Sequence, residues 1–286
     1  MTKLRELIAG EMPVDAPLVL NPMMARLAEA AGFQALYLGG GSTGYLKCVT
    51  EANLNLSEMC QAALDIKTVS SLPLILDGAC GWGDPMHMHR TIGMSETAGF
   101  EAIEIEDQIL PKRAHHHIGI EHVIPAELMC EKIKECLAAR RSPDFLIIAR
   151  TNATRMHGLD EALRRAEAFR KAGADMLLVL AKTPDQVKVI GEKVGGPMVL
   201  LASGDAVRAS GLSRAELGRL GYKLIIDAST PLMAAHKAWR DTYAAMARDE
   251  PAPSLGPGGA KAEQDEVHKT IGLDRMLAIE RRTVER

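Results

Sequence analysis

Aromatic residues are scarce and neither sign of charge dominates. Ten aromatic side chains in 286 residues, with 34 basic against 37 acidic groups and a formal net charge of −3, supply neither stacking platforms for bases nor a basic field for a phosphate backbone. Nucleic acid is therefore not an expected partner. No apolar run approaches the ~20 residues that span a bilayer. The first twelve residues already carry Lys3, Arg5, Glu6 and Glu11, so neither a membrane span nor a signal peptide is expected and the location reads as cytoplasmic. The five cysteines (Cys48, Cys60, Cys80, Cys130 and Cys136) form no CxxC pair, which argues against a zinc knuckle or a disulfide framework and for reduced, mostly buried thiols. A GxGxxG run and a Walker lysine are also missing, so nucleotide binding has no support.

What is present is an ordinary globular balance, 47% hydrophobic and 25% charged, arranged as short β-rich runs alternating with amphipathic stretches. Eight such runs stand at Pro17–Asn21, Ala35–Gly39, Leu74–Gly78, Ala102–Asp107, Phe145–Arg150, Met176–Ala181, Met198–Ala202 and Lys223–Ala228. Helix candidates lie between them, several ending in glycine. Near-continuous apolar strands separated by helices are those of a parallel sheet covered on both faces. The fold class is α/β, with a (β/α)8 TIM barrel ranked ahead of a doubly wound open sheet; the length is close to the roughly 250 residues typical of such barrels.

The domain reading is a catalytic barrel over residues 1–248 and a connector plus oligomerisation helix over 249–286. Asp249–Ala260 is rich in proline and glycine, and Glu263–Glu285 reads as one amphipathic helix. Its apolar positions need a surface, supplied either by a partner subunit or by the chain's own barrel.

Catalytic groups of a barrel sit at the C-terminal strand ends. That filter selects Gly39–Thr43, Asp77–Asp84, Glu106-Asp107, Arg150-Thr151-Asn152 and Asp227. Asp77 and Glu106 are hard oxygen donors from neighbouring strands, suited to Mg²⁺; the alternative is that they cap loops or pair with Arg150. Gly39, Gly40 and Gly41 offer backbone N–H groups to an anion, or serve an ordinary tight turn. Arg150 suits a bidentate carboxylate clamp or a buried ion pair. Gln108–Ile124 is long for a βα connection and reads as a lid bearing Lys112, Arg113, Glu121 and four histidines, His115 to His117 and His122. Three adjacent histidines cannot all face one ion, so zinc is not expected there.

Four blocks in order, AGFQALYLGGG, PLILDGACGWGD, IEIEDQILPKR and IIARTNA, resemble the isocitrate lyase/phosphoenolpyruvate mutase superfamily over about residues 3 to 245. The counterparts in that family read AGF-x-A-x-Y-x-S-G, P-x-x-x-DADTGYG, IEDQ-x-x-x-KRCGH and IIARTDA. The resemblance implies a (β/α)8 barrel whose terminal helix is swapped between subunits in a dimer of dimers, a homotetramer. It also implies Mg²⁺, or Mn²⁺ in its place, and a small 2-oxo or 2-hydroxy di- or tricarboxylate as substrate. By the same likeness Asp77 is a direct metal ligand, and Glu106 and Glu51 hold metal waters. Arg150 binds the substrate carboxylate, with Tyr37, Gly39, Gly40, Gly41 and Asn152 around it.

The departures from the family pattern bear on the chemistry. Ala79 replaces the second Asp of DADTG, Gly39 the serine, Ala114 the lid cysteine, Leu180 a glutamate near strand six, and Asn152 the Asp of RTD. A retro-aldol lyase needs an acid to protonate its second product, and in the family that acid is the cysteine. Decarboxylation of a 2-oxo dicarboxylate such as oxaloacetate asks for no base, and its proton can come from water or from His115 or His116 beside the vacated position. The sequence thus favours a Mg²⁺-dependent carbon–carbon lyase of the oxaloacetate decarboxylase kind. A methylisocitrate- or dimethylmalate-type lyase with histidine as acid is the alternative, and a non-catalytic binding or scaffold protein on a decayed barrel is the alternative from another class.

Overall fold

The computed structural model describes residues 3–285. Eight strands form one parallel sheet: β1 Val14–Pro17, β2 Leu36–Leu38, β3 Leu74–Asp77, β4 Ala102–Glu106, β5 Leu146–Thr151, β6 Met176–Val179, β7 Met198–Leu201 and β8 Tyr222–Asp227. Their spatial order is sequential, with β1 beside β8. Leu18, just past β1, bridges in parallel to Tyr37 of β2, and Val19 N donates to Tyr37 O at 2.8 Å. The two ends of the sheet therefore meet, and the fold is a nearly closed barrel rather than an open doubly wound sheet.

Local signals explain the helices between the strands. Asn21 and Asn55 accept from the amides of Met24 and Glu58 at the starts of the helices Pro22–Ala30 and Leu56–Lys67. Gly32, Gly99 and Gly173 hold φ of 90°, 90° and 104° just past helix ends, a conformation that costs glycine no Cβ clash. Seven of the expected strands agree to within one or two residues, whereas β1 begins earlier than its apolar run. Asp15 interrupts the pattern there, but Val14 and Ala16 face the core while Asp15 pairs outward with Arg214.

Strand alternation decides what enters the lumen. Tyr37, Ile75, Ala102, Leu146 and Ile148 belong to the packed interior. One or two pleats further along the same faces come Asp77 on β3, Glu104 and Glu106 on β4 and Arg150 on β5. Register places Glu104 opposite Ile148 and Glu106 opposite Arg150. An apolar plug thus fills one end of the barrel and ionisable groups line the other.

The chain divides into two compact units, Met1–Thr230 and Pro231–Arg286. In the second, the single helix expected over Glu263–Glu285 is two helices, Gly259–Ile271 and Leu273–Thr283. They part at Gly272, whose φ of 73° and ψ of 39° end the first as a left-handed cap. Neither helix has a buried residue. Among the described residues no helix is long and apolar enough to cross a membrane.

Candidate active site

A cavity of about 370 Å³ opens at the C-terminal end of the barrel, lined among others by Tyr37, Gly39, Gly41, Glu51, Asp77, His116 and Arg150. A second, of about 400 Å³, lies beside it along Ala79, Trp82, Asp84 and Leu110; Glu51 lines both and Lys112 the second.

Asp77 ends β3 with its carboxylate fixed by two amides. Oδ2 accepts from Gly40 N at 2.9 Å and Oδ1 from Ala79 N at 3.0 Å. Gly40 therefore spends its N–H on Asp77 rather than on a ligand. Burial, with Glu51 nearby, raises the Asp77 carboxyl above its ordinary range. Ala79 sits in the left-handed region at φ 45°, where aspartate is better tolerated than alanine.

Glu106 closes β4 in the densest part of the network. Lys112 reaches back from the lid to pair with both Glu106 and Glu51. Asn152 Nδ2 and Gln108 Nε2 donate to Glu106 Oε2 at 2.5 and 3.2 Å, and Arg150 Nε stands 3.4 Å from the same oxygen. Burial opposes ionisation of Glu106, but Lys112 and Arg150 outweigh it and hold its pKa low. The same balance, with His116 and Lys112 as partners, holds Glu51 far below the carboxylate range. The Lys112 ammonium keeps its proton despite burial because Glu106, Glu51 and Asp77 surround it.

Arg150 donates through Nη1 to Glu104 Oε1 at 2.7 Å and through Nε to Asn152 Oδ1 at 2.9 Å. Its Nη2 has no protein partner among the described residues. Asn152, expected to touch substrate, is fully buried. It holds Glu106 and Arg150 in place rather than lining the cavity.

Glu104 was not foreseen. It lies beneath the site with Tyr37 Oη donating to Oε2 at 3.3 Å, and burial, only partly offset by Arg150, pushes its pKa up to about 7. The signal was available: a glutamate two residues before Glu106 in an apolar strand shares its face. Tyr37 is itself buried and its phenol raised well above the ordinary value, chiefly by burial.

The lid separates its histidines. In the 3-10 helix Ala114–Ile118 successive side chains point about 120° apart. His116 lines the cavity, with Nδ1 donating to Arg113 O at 2.6 Å and Nε2 standing 3.1 Å from Glu51 Oε1. Burial lowers its pKa, but Glu51 and the Arg113 carbonyl prevail and raise it. His117 also lines the cavity, its Nδ1 3.0 Å from Tyr45 Oη. His115, put forward with His116 as a proton source, points away and pairs with His122 at 3.1 Å. Adjacency to Ala114 could not tell the two apart.

Two further strand-end acids serve structure. Asp107 accepts from Thr151 Oγ1 and Asn152 N and pairs with Arg165, while Asp227 accepts from the amides of Ser229 and Thr230.

Among the described residues no three His, Cys, Asp or Glu side chains converge closely enough to hold a metal by themselves. The arrangement still fits a hard divalent cation bound directly by Asp77 with Glu51 and Glu106 on its waters. Four carboxylates (Glu51, Asp77, Glu104 and Glu106) crowd around two permanent cations, Lys112 and Arg150, in this buried space. A divalent ion corrects that imbalance.

Residues 4–247 match the family described as Phosphoenolpyruvate phosphomutase. The 2,3-dimethylmalate lyase of Eubacterium barkeri is 32% identical over 97% of this chain and 96% of its own. The oxaloacetate decarboxylase of Pseudomonas fluorescens is 34% identical over 83% and 81%. The structure of the phosphoenolpyruvate phosphomutase from Streptomyces platensis superposes with a TM-score of 0.87 at 28% identity, covering 98% of both chains. A phosphonopyruvate hydrolase in complex with oxalate and Mg²⁺ gives 0.84 at 29%, again covering 98% of both.

Proposed function

Because this chain belongs to the phosphoenolpyruvate phosphomutase family, we propose that it is a carbon–carbon lyase of small 2-oxo dicarboxylates, with decarboxylation of oxaloacetate or a close analogue as its reaction. The observation that carries this reading is the lid, where Ala114 has no proton to give and, of the two histidines put forward as acids, His116 lines the cavity while His115 pairs with His122. A retro-aldol lyase of this family would lack its thiol acid here. Decarboxylation needs no base to begin, because the electrons of the breaking bond pass into the adjacent 2-oxo group.

A divalent cation held by Asp77, with Glu51 and Glu106 on its waters, would supply Lewis-acid polarisation of the 2-oxo carboxylate. Arg150 takes a carboxylate on Nη2 while Glu104 and Asn152 fix the plane of its guanidinium. His116 is equipped to deliver the proton that follows loss of CO2. Its Nδ1 is committed to the Arg113 carbonyl, so Nε2 is the exchanging atom, and Glu51 favours its charged form.

The match to a dimethylmalate lyase along nearly the whole chain supports a second reading, retro-aldol cleavage of a methylated 2-hydroxy acid with His116 as the acid. Retention of Asp77, Glu106 and Arg150 in one network argues against a non-catalytic scaffold. An NMR time course with Mg²⁺ separates these readings when oxaloacetate, dimethylmalate, methylisocitrate and phosphonopyruvate are offered singly, each with its own spontaneous-decay control. Pyruvate and CO2 from oxaloacetate alone support the decarboxylase. Pyruvate with propionate from dimethylmalate supports the second reading, and no turnover of any of the four defeats both.

A further inference from the structure

Beyond Arg150, a second guanidinium lines the cavity. Arg155 stands in the short helix Thr154–His157 that follows β5. Its Nη1 donates to Glu121 Oε1 at 2.6 Å and lies 3.4 Å from the His116 carbonyl. Glu121, near the end of the lid, is buried, and its other oxygen Oε2 has no partner. Nε and Nη2 of Arg155 have no protein partner among the described residues. That pair of N–H groups is the side-on edge with which arginine grips a carboxylate at two points. Arg150 has already given Nε and Nη1 to Asn152 and Glu104 and keeps only Nη2. The cavity thus presents two guanidiniums to a small ligand, one partly spent and deep, the other with its two-point edge free and nearer the lid.

We propose that Arg155 is the second carboxylate anchor of this cavity and makes it selective for dicarboxylates over the corresponding monocarboxylates; the inference rests on the 2-oxo acid reading above. Glu121 is the positioning residue, holding the Arg155 guanidinium by Nη1 so that Nε and Nη2 face the ligand. Burial, with Glu106 nearby, raises the Glu121 carboxyl, which reduces the repulsion a ligand carboxylate would meet there. The competing role for Arg155 is a staple that merely fastens the lid through Glu121 and His116. A staple would act on every ligand alike.

The test is calorimetric binding of malate and lactate, a 2-hydroxy dicarboxylate and its monocarboxylate counterpart, to the full-length protein with saturating Mg²⁺. The wild type is expected to bind malate at least tenfold more tightly than lactate. Arg155→Gln should erase that preference and change lactate affinity less than twofold. The double variant Arg155→Met with Glu121→Gln avoids leaving a lone buried carboxylate and should do the same; Glu121→Gln alone should shrink the preference. An undiminished preference in Arg155→Gln, or equal losses for both acids, overturns the proposal. Arg150→Gln keeps the two readings apart, because it should weaken both acids. If neither acid binds the wild type, this inference falls, while the 2-oxo acid reading stands or falls on oxaloacetate turnover. If both bind through Arg150 but indifferently to Arg155, only the inference falls.

Discussion

A Cβ placed on Gly41 would lie 2.7 Å from Oε2 of Glu51. The Glu51 carboxylate rests over the first turn of the helix Gly40–Leu46, against a position that carries no side chain. Gly41→Ala is expected to push Glu51 off Lys112 and His116 and to weaken Mg²⁺ about tenfold or more, as loss of a group holding a metal's waters does. Isothermal titration with Mg²⁺ reads this directly, with circular dichroism to confirm an intact barrel. Unchanged affinity would remove Glu51 from the metal site.

Lys112 pairs with both Glu51 and Glu106. Lys112→Met leaves two buried carboxylates short of a partner and should cost ~3 kcal/mol of stability in EDTA. Mg²⁺ should raise the melting temperature of this variant more than that of the wild type, because it binds without competition from the ammonium. Equal melting temperatures in EDTA would show that the lysine contributes nothing to the network.

Glu104, raised from 4.5 to about 7 by burial, sets a pH dependence whose sign is fixed by linkage. The native state holds this proton more tightly than the unfolded chain. The associated stability is therefore fully present below about pH 4.5 and lost as pH rises through about 7, a swing of ~3 kcal/mol. Glu104→Gln, neutral throughout, should be relatively more stable than the wild type at pH 8.5 than at pH 5. Chemical denaturation at the two pH values in EDTA measures the difference, and a constant offset would mean that Glu104 is ionised at both.

His116 must be protonated to act as an acid, so the rate it supports is flat at low pH and falls as pH passes its pKa, which Glu51 holds above the ordinary histidine value. His116→Gln should lower turnover roughly a hundredfold near neutrality and abolish that fall. An unaltered pH profile would assign the proton to water.

Much of this site could be read before the fold was known. Asp77, Glu106 and Arg150 announced themselves because they end apolar strands, where a barrel exposes what its strands carry. The bonds of Asn152 to Glu106 and Arg150 were not legible, since an amide at a strand end says nothing about which neighbours it will meet. Glu104 was hidden inside a strand that otherwise reads as core. Arg155 gave no local signal, because its meaning depends on Glu121, thirty-four residues earlier in the lid. The split between His115 and His116 depends on a 3-10 turn that pattern alone does not specify. Gly272, within an amphipathic run, was read through rather than as a left-handed break.

The most direct test follows pyruvate release from oxaloacetate, above the spontaneous rate, for the wild type and for Asp77→Ala, each with Mg²⁺ and with EDTA. Mg²⁺-dependent release is expected of the wild type alone, abolished by EDTA and by loss of Asp77. Release that persists in EDTA, or is equal in Asp77→Ala, would contradict a cation-assisted decarboxylase organised by that carboxylate.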